Sequence, residues 1–227
     1  MNRRNIMINA VIFDMDGTLI DTEQYYRRFW PVAMKHFGYT MTDEEALSMR
    51  SLGQPYAPER LREISKDPDF DYPAVRAYRK KIMEEFLEKN GIPLKKGAKE
   101  ILAFLQECQI PRAVATANDM ERAGRYLQKI GLYPCFDHII CAPMVKHGKP
   151  APDIYTYACE KLGYEPETCV AVEDSPNGVM SAYRAGCQVI MVPDQTQPDP
   201  ALEKMLCACA GSLEDIRSFV LAHRSQA

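Results

Sequence analysis

The segment Asp14-Met15-Asp16-Gly17-Thr18 sets two carboxylates two residues apart, just after an apolar run and just before a glycine turn. One carboxylate there can attack an electrophile, with a second carboxyl group beside it. With uniform residue frequencies D-x-D-G-T arises by chance in on the order of one chain in a thousand of this length. The plainer alternative is a turn whose Asp side chains cap backbone amides. Three further segments have the same flavour. Thr116-Ala117-Asn118 closes an apolar run with a hydroxyl ahead of a helical pattern, where helix N-terminal amides favour an anion, although ordinary strand-to-helix turns also carry such residues. Asn118 is expected to cap that helix, with Glu121 at its third position. Lys149 lies in a loop stiffened by Pro150 and Pro152 and can meet a phosphate as a point charge; alone, a loop lysine is usually just solvated. Glu173-Asp174 ends another apolar run, ahead of Ser175 as cap and Pro176 at the first helical position. Such acids can simply favour a helix N-terminus, or, with Asp14 and Asp16, hold Mg2+ through carboxylate oxygens.

These residues share a position: each stands at the end of an expected strand. Short apolar runs at 10–14, 113–116, 138–141, 169–173 and 189–192 alternate with helical patterns, as in a parallel sheet covered on both faces. Ligands of such open sheets bind beyond the carboxyl ends of the strands. Residues 22–90 break the alternation and show no strand. Asp21 and Gln24 suggest a capping box for a first helix, on which Tyr25, Phe29, Val32, Ala33, His36 and Phe37 share a face until Gly38 ends it. Further helices are expected at 42–49, 56–64 and 72–89, the last with Val75, Tyr78, Ile82, Phe86 and Leu87 on one stripe. The expected fold is α/β: a Rossmann-like doubly wound parallel sheet core over 1–20 and 92–227, with an all-helical domain over 22–90 inserted after the first strand. The crossings lie at 18–22 and 90–97.

Composition removes whole classes of function. Of 227 residues, 46% are hydrophobic and 26% charged, with a net charge of −3, which excludes a disordered chain. The apolar run 6–13 is far short of a membrane span and too short and polar for a secretory signal. A basic stripe for nucleic acid or a polybasic membrane face is not visible. Eight cysteines, at 108, 135, 141, 159, 169, 187, 207 and 209, form no CxxC pair. They read as reduced thiols, with neither the cysteine nor the histidine spacing of a zinc site. The expectation is a cytoplasmic protein acting on a small molecule, as a monomer, without nucleic acid or membrane.

With all four segments in order and at typical spacing, the sequence resembles the haloacid dehalogenase superfamily, in its phosphatase and phosphomutase branch, and there the β-phosphoglucomutase-like group with a helical cap. The resemblance spans nearly the whole chain, specific in the core motifs and loose in the cap. It implies that Asp14 is the nucleophile and a Mg2+ ligand. Asp16 would be the general acid and then the base, its backbone carbonyl also reaching the metal. Thr116, with the amide of Ala117 and with Asn118, would grip the phosphoryl oxygens, and Lys149 would neutralise charge. Asp174 would bind the metal directly, and Glu173 directly or through another group. In the cap, Glu23, Tyr26, Arg27, Trp30, Arg50, Gly53 and Gln54 are the candidates to face substrate, although Tyr26 and Trp30, spaced i,i+4, could equally pack inside the cap.

The expected activity is Mg2+-dependent hydrolysis of a small phosphate monoester, a sugar phosphate or a nucleotide-like one, through an aspartyl-phosphate. The alternatives are a sugar-phosphate mutase and a non-catalytic phosphate-binding module. A dehalogenase would leave Asp16 and Asp174 without a task, and a binding module would be expected to have lost Asp14, Asp16 or Lys149. In the mutases a histidine of the first cap helix, an arginine of the cap loop and a lysine after the second motif help hold a bisphosphate. The matching positions here are Tyr26, Gln54 and Asp119. Two cations are thereby absent and Asp119 adds a negative charge, which favours hydrolysis over mutation of the ester.

Overall fold

The computed structural model describes residues 7–223. Its sheet is built from β1 (Ala10–Phe13), β2 (Arg112–Thr116), β3 (His138–Cys141), β4 (Cys169–Glu173), β5 (Gln188–Met191) and β6 (Ala208–Cys209). All neighbours are parallel, in the order β3-β2-β1-β4-β5-β6. The first five coincide with the apolar runs to within a residue at either end. They read as unbroken apolar runs because both faces are covered. Side chains alternate along a strand, so Val11 and Phe13 pack with Val114, Val172, Ile101 and Leu105 on one face. Ala10 and Ile12 pack with Ala113, Ala171, Ile154 and Val179 on the other. Helices α5 (Ala98–Glu107), α6 (Met120–Lys129), α7 (Asp153–Leu162), α8 (Pro176–Ala185), α9 (Pro200–Glu203) and α10 (Ile216–His223) complete this part.

Between β1 and α5 come α1 (Glu23–His36), α2 (Asp43–Ser48), α3 (Tyr56–Ser65) and α4 (Tyr72–Asn90), with no strand among the described residues of this stretch. They have a core of their own, in which Trp30, Met34, Leu61, Ile64 and Val75 are buried together. The outgoing and returning chains run side by side: Asp21 N–H donates to Pro93 O at 2.9 Å and Lys95 N–H to Leu19 O at 3.0 Å.

Two helical faces differ from the periodicity reading. On α1 the buried residues are Glu23, Phe29, Trp30, Ala33 and Met34, while Val32 is 46% and Phe37 38% exposed. On α4 they are Val75, Arg79, Met83 and Leu87. The reason is that each helix faces two partners. Phe29, Met83 and Leu87 join the core under the sheet, whereas Trp30, Met34 and Val75 turn into the helical core, so a single apolar stripe is the wrong template. Among the described residues no helix is long and apolar enough to cross a membrane, and all eight cysteines are free thiols.

Candidate active site

The backbone of β1 ends by pointing Asp14 into a knot of buried charge. Lys149 Nζ donates to Asp14 Oδ1 at 2.5 Å, to Glu173 Oε1 at 2.6 Å and to Ala115 O at 3.0 Å. Glu173 is further committed. Its Oε1 also accepts from Tyr155 Oη at 2.6 Å, and its Oε2 accepts from the Asp174 N–H at 3.2 Å. Asp174 has Thr18 Oγ1 at 3.5 Å on Oδ1, and its Oδ2, like Asp14 Oδ2, is buried with no partner. Carboxylate oxygens of Asp14, Glu173 and Asp174 lie within 4.8 Å of one another. One ammonium thus pairs with two of the three buried acids. Burial first, then the surplus of negative charge, outweighs Lys149 and pushes the Asp14 pKa up to about 8. Burial and the Asp14 charge raise Asp174 in the same way. Lys149 is raised despite its burial, because two carboxylates favour its charged form.

This donor set fits a divalent cation. The orphaned oxygens of Asp14 and Asp174 are hard ligands of the kind Mg2+ takes. Glu173, with both oxygens already accepting, instead holds Lys149 in place. Gly17 makes room: it has φ +89°, and a Cβ there would collide with Asp174 Oδ2.

Asp16 has different company. Thr22 Oγ1 donates to its Oδ1 and Asn118 Nδ2 to its Oδ2, both at 2.5 Å. Two cap assignments change as a result. Thr22, not Asp21, precedes α1, and it makes no side-chain cap bond because its hydroxyl is turned to Asp16. Asp21 meets Gln24 by a side-chain bond of 2.7 Å instead. Likewise Asp119, not Asn118, caps α6, accepting from Arg122 N–H at 2.9 Å. Asn118 is freed to donate to Thr116 Oγ1 at 3.0 Å and to accept from Tyr26 Oη at 3.1 Å. Ser175 and Pro176 begin α8 as their types suggest.

Over this knot lies a cavity of about 450 Å³ lined by Asp14, Asp16, Ala117 and Asn118 on one side and by residues of α1, Glu23 among them, of α4 and of the 49–54 loop on the other. Thr116, Lys149, Glu173 and Asp174 lie buried behind that lining. Tyr26, Trp30, Arg50, Gly53 and Gln54 all line it, and Tyr26 and Trp30 also pack into or against the helical core. Glu23 is buried, with Oε2 unpartnered. Burial and then the charges of Asp174 and Asp16 raise its pKa well above the usual carboxylate range. Arg27 is elsewhere: it is paired with Asp43 and bonded to Gln195. Arg50 donates through Nη2 to Thr196 Oγ1 at 2.9 Å and to Asp174 O at 3.3 Å, while its Nη1 is buried without a partner.

The 49–54 loop is clasped to the Lys149 loop. Gly53 N–H donates to Lys149 O at 3.0 Å and Gly148 N–H to Gln54 O at 2.7 Å. Sequence reasoning passed over Tyr155, which carries no motif and reaches Glu173 from the middle of α7's buried face. It also passed over Arg76, Arg79 and Lys146, which line the cavity. Arg79 falls in a run of positions with an apolar period, where a lone arginine gives no signal. Asp119, expected to add negative charge, is paired with Lys80 at 3.1 Å, so that part of the case against a bisphosphate is weakened.

Comparison with known proteins agrees with this geometry. The family model described as haloacid dehalogenase-like hydrolase matches residues 8–186. The chain is 33% identical over 187 residues to a phosphorylated carbohydrates phosphatase of Thermotoga maritima, covering 81% of this chain and 84% of that one. It is 35% identical over 181 residues to hexitol phosphatase A of Escherichia coli, covering 80% and 81%. A crystal structure of a CbbY mutant from Rhodobacter sphaeroides in complex with xylulose-(1,5)bisphosphate superposes with a TM-score of 0.77 at 26% identity, over 92% of this chain and 96% of that one. Parallel sheet, helical insertion and strand-end carboxylates thus occur together in a chain that belongs to the haloacid dehalogenase-like hydrolase family and is an enzyme of its phosphoric monoester hydrolases.

Proposed function

We propose that this hydrolase is a Mg2+-dependent phosphatase of small phosphorylated sugars or sugar alcohols, working through an aspartyl-phosphate on Asp14. The observation that carries the reading is the state of Asp14: one oxygen is pinned by Lys149 and the other is buried and unpartnered, as is one oxygen of Asp174, and carboxylate oxygens of the two residues lie within 4.8 Å of each other. The names of the relatives, a phosphorylated carbohydrates phosphatase and a hexitol phosphatase, support the substrate class.

Asp14 attacks phosphorus while Lys149 offsets the repulsion between the carboxylate and the phosphate dianion. A unit charge pair at about 4 Å is worth ~4 kcal/mol at an effective dielectric of 20. The bond from phosphorus to the leaving oxygen breaks, and that oxygen takes the proton of Asp16. Asp16 then accepts a proton from the incoming water, which attacks phosphorus and restores the Asp14 carboxylate. Thr22 and Asn118 fix Asp16 for both transfers. Thr116 and the Ala117 amide hold phosphoryl oxygens in this reading. Asp14, Asp174 and the carbonyl of Asp16 would hold Mg2+, which supplies positive charge against the phosphoryl oxygens. Residues 1–20 and 92–227 are the catalytic core in this reading, of which 1–6 and 224–227 lie outside the described residues, and 22–90 is the cap that excludes water from the intermediate. The setting is the cytoplasm, and the enzyme works as a monomer.

The test is phosphate release from a panel of hexose, hexitol, pentose and nucleotide monoesters by purified protein with Mg2+. Hydrolysis concentrated on the sugar and polyol esters, and absent with Asp14→Asn, is expected. Release equal in wild type and Asp14→Asn would overturn the assignment.

A further inference from the structure

The charged knot at the strand ends is met by a side chain that rises out of the apolar core and belongs to no motif. Tyr155, on α7, is fully buried and packs in one cluster with Ile12, Ala171 and Val179. Its hydroxyl donates to Glu173 Oε1 at 2.6 Å, the same oxygen that accepts from Lys149 Nζ at 2.6 Å. The Lys149 ammonium stands 5.1 Å from the centre of the Tyr155 ring. The other sides of Glu173 are closed. Its Oε2 has the Asp174 N–H at 3.2 Å and Ser175 Oγ at 3.4 Å, and a Cβ on Gly178 of α8 would lie 2.0 Å from the carboxyl group. A hydroxyl in an apolar core is costly unless it is bonded. Phenylalanine would fill nearly the same volume without that cost, so what the hydroxyl bonds is informative.

We propose that Tyr155 is a positioning residue for phosphoryl transfer: by donating to the Glu173 oxygen that Lys149 also holds, it weakens the claim of Glu173 on Lys149 and keeps the ammonium directed at Asp14. This rests on the phosphatase reading of Asp14. An ammonium has three donors. Those of Lys149 go to Asp14 at 2.5 Å, to Glu173 at 2.6 Å and to Ala115 O at 3.0 Å, so a phosphoryl oxygen gains one only when a carboxylate yields its share. As Asp14 bonds to phosphorus its negative charge passes to the phosphoryl oxygens, whereas Glu173 keeps its own. Glu173 therefore becomes the stronger claimant on Lys149 at the stage where the phosphoryl oxygens need it. The phenol offsets part of the Glu173 charge at that oxygen and ties the carboxylate to α7. Tyr155 reaches the reaction only through Glu173 and Lys149, and its effect belongs to the transition state more than to substrate binding.

Tyr155→Phe removes the hydroxyl and keeps the ring, and near-ultraviolet circular dichroism checks that the fold is kept. On the ester that wild type hydrolyses best, it is expected to lower kcat about 10-fold with KM within about 2-fold. Glu173→Gln removes the charge that the phenol restrains. In that background the further change Tyr155→Phe is expected to alter kcat by less than about 2-fold. A tyrosine that only fills the core would leave kcat unchanged, or would lower it by the same factor in both backgrounds. Calorimetric titration with orthovanadate and with orthophosphate, in the presence of Mg2+, reads the same device without turnover. Tyr155→Phe should weaken orthovanadate, which adopts the five-coordinate shape of the transition state, about 10-fold and orthophosphate by less than about 2-fold. If wild type hydrolyses no ester yet this difference is present and vanishes with Glu173→Gln, the phosphatase reading fails and the role of Tyr155 stands. Unchanged kcat and unchanged orthovanadate affinity in a folded Tyr155→Phe protein would overturn the proposal. So would a loss carried by KM, or one of equal size with and without the charge of Glu173.

Discussion

The strand-end site and the helical wall above it satisfy their charges in opposite ways. At the strand ends every oxygen of Asp16 and Glu173 is engaged by a protein donor. What is left over is negative: one oxygen each of Asp14 and Asp174. On the α4 wall the leftover is positive, the guanidinium of Arg79 between two aromatic rings. Chemistry needs groups fixed before substrate arrives, and the strand ends, buried on both faces of the sheet, supply that rigidity. Recognition needs groups whose partner is the substrate, and the proposed function assigns these to helices of the insertion. The molecule is preorganised where bonds change and incomplete where the substrate's identity is read.

The largest effect should come from breaking the fixed side. Asp14→Asn removes the nucleophile and keeps its shape, so turnover on the best ester should fall at least ~10⁴-fold, while near-ultraviolet circular dichroism stays native. The same change has a stability signature. Asp14 is pushed up to about 8 from its ordinary 3.8, so between those values the folded state holds more protons than the unfolded chain. Stability of the metal-free wild type should therefore fall as pH rises through that window. Asp14→Asn should flatten the slope and leave the metal-free protein more stable than wild type at pH 8. A steeper slope in the variant would contradict the picture of Asp14 as a carboxylate held against its own repulsion.

Filling the negative leftover should come next. Chelation should abolish activity, and Mg2+ should restore it. At about 100-fold excess over its dissociation constant a ligand adds about 2.7 kcal/mol, or roughly 5 to 10 °C in Tm for a chain of this size. Because the ion displaces a proton, the increment should grow from pH 6 to pH 8. Asp174→Asn should remove most of it. A Tm that does not respond to Mg2+ at either pH would break the reading of the two orphaned oxygens as ligands.

The same contrast governs what could be read from the chain. Five strands were legible because a doubly covered strand has to be an unbroken apolar run. β6 was not, since Ala208–Cys209 is two residues long and two residues carry no period. The strand-end residues were legible because Asp14, Thr116, Lys149 and Asp174 sit in short motifs with a turn or a cap beside them. Asn118 was misread as a cap because Asn and Asp cap equally well, and Asp119 directly follows it; only the packing of Tyr26 against Asn118 decides between them. Arg79 left no trace. In a helix that buries residues toward two partners, a positive charge within the stripe looks like an exposed position. What turns it inward is the pair of aromatic rings on α1, remote in sequence.

Where the two regions touch, the expected effect is intermediate. Gly53 and Gly148 approach so closely that a Cβ on either would lie 2.5 Å from the other's Cα, with backbone on both sides and no side chain to yield. Gly53→Ala should therefore part the clasp that carries the carbonyl of Lys149 and lower kcat/KM by about 10-fold, a local misplacement of the kind that costs up to 10²-fold. Global stability should change by no more than about 1 to 2 kcal/mol, since the loop is peripheral to both cores. Unchanged kinetics would mean that this contact does not help position Lys149.

The smallest effect is the most discriminating, because it uncovers a charge beside Arg79 and leaves Arg79 itself in place. Lys80 on α4 pairs with Asp119, the cap of α6, at 3.1 Å, with both side chains partly exposed. Such a pair contributes ~0 to 1 kcal/mol to stability, so Lys80→Ala should shift Tm by no more than a few degrees. Its kinetic consequence has a different origin. Burial raises Asp119, while the Arg122 N–H, Lys80 and the charge of Arg76 together hold it below the usual carboxylate range; without Lys80 its carboxylate faces the cavity without its ion-pair partner. Anionic esters should then lose about 2- to 5-fold in kcat/KM at low salt, and the loss should shrink toward nothing as ionic strength approaches 1 M, where the screening length is about 3 Å. The double change Lys80→Ala with Asp119→Asn should recover the wild-type rate, since it removes the charge that was uncovered. A loss that ignores salt and is not rescued by Asp119→Asn would mean that Lys80 acts through packing of α4, and that the wall discriminates by shape and not by charge.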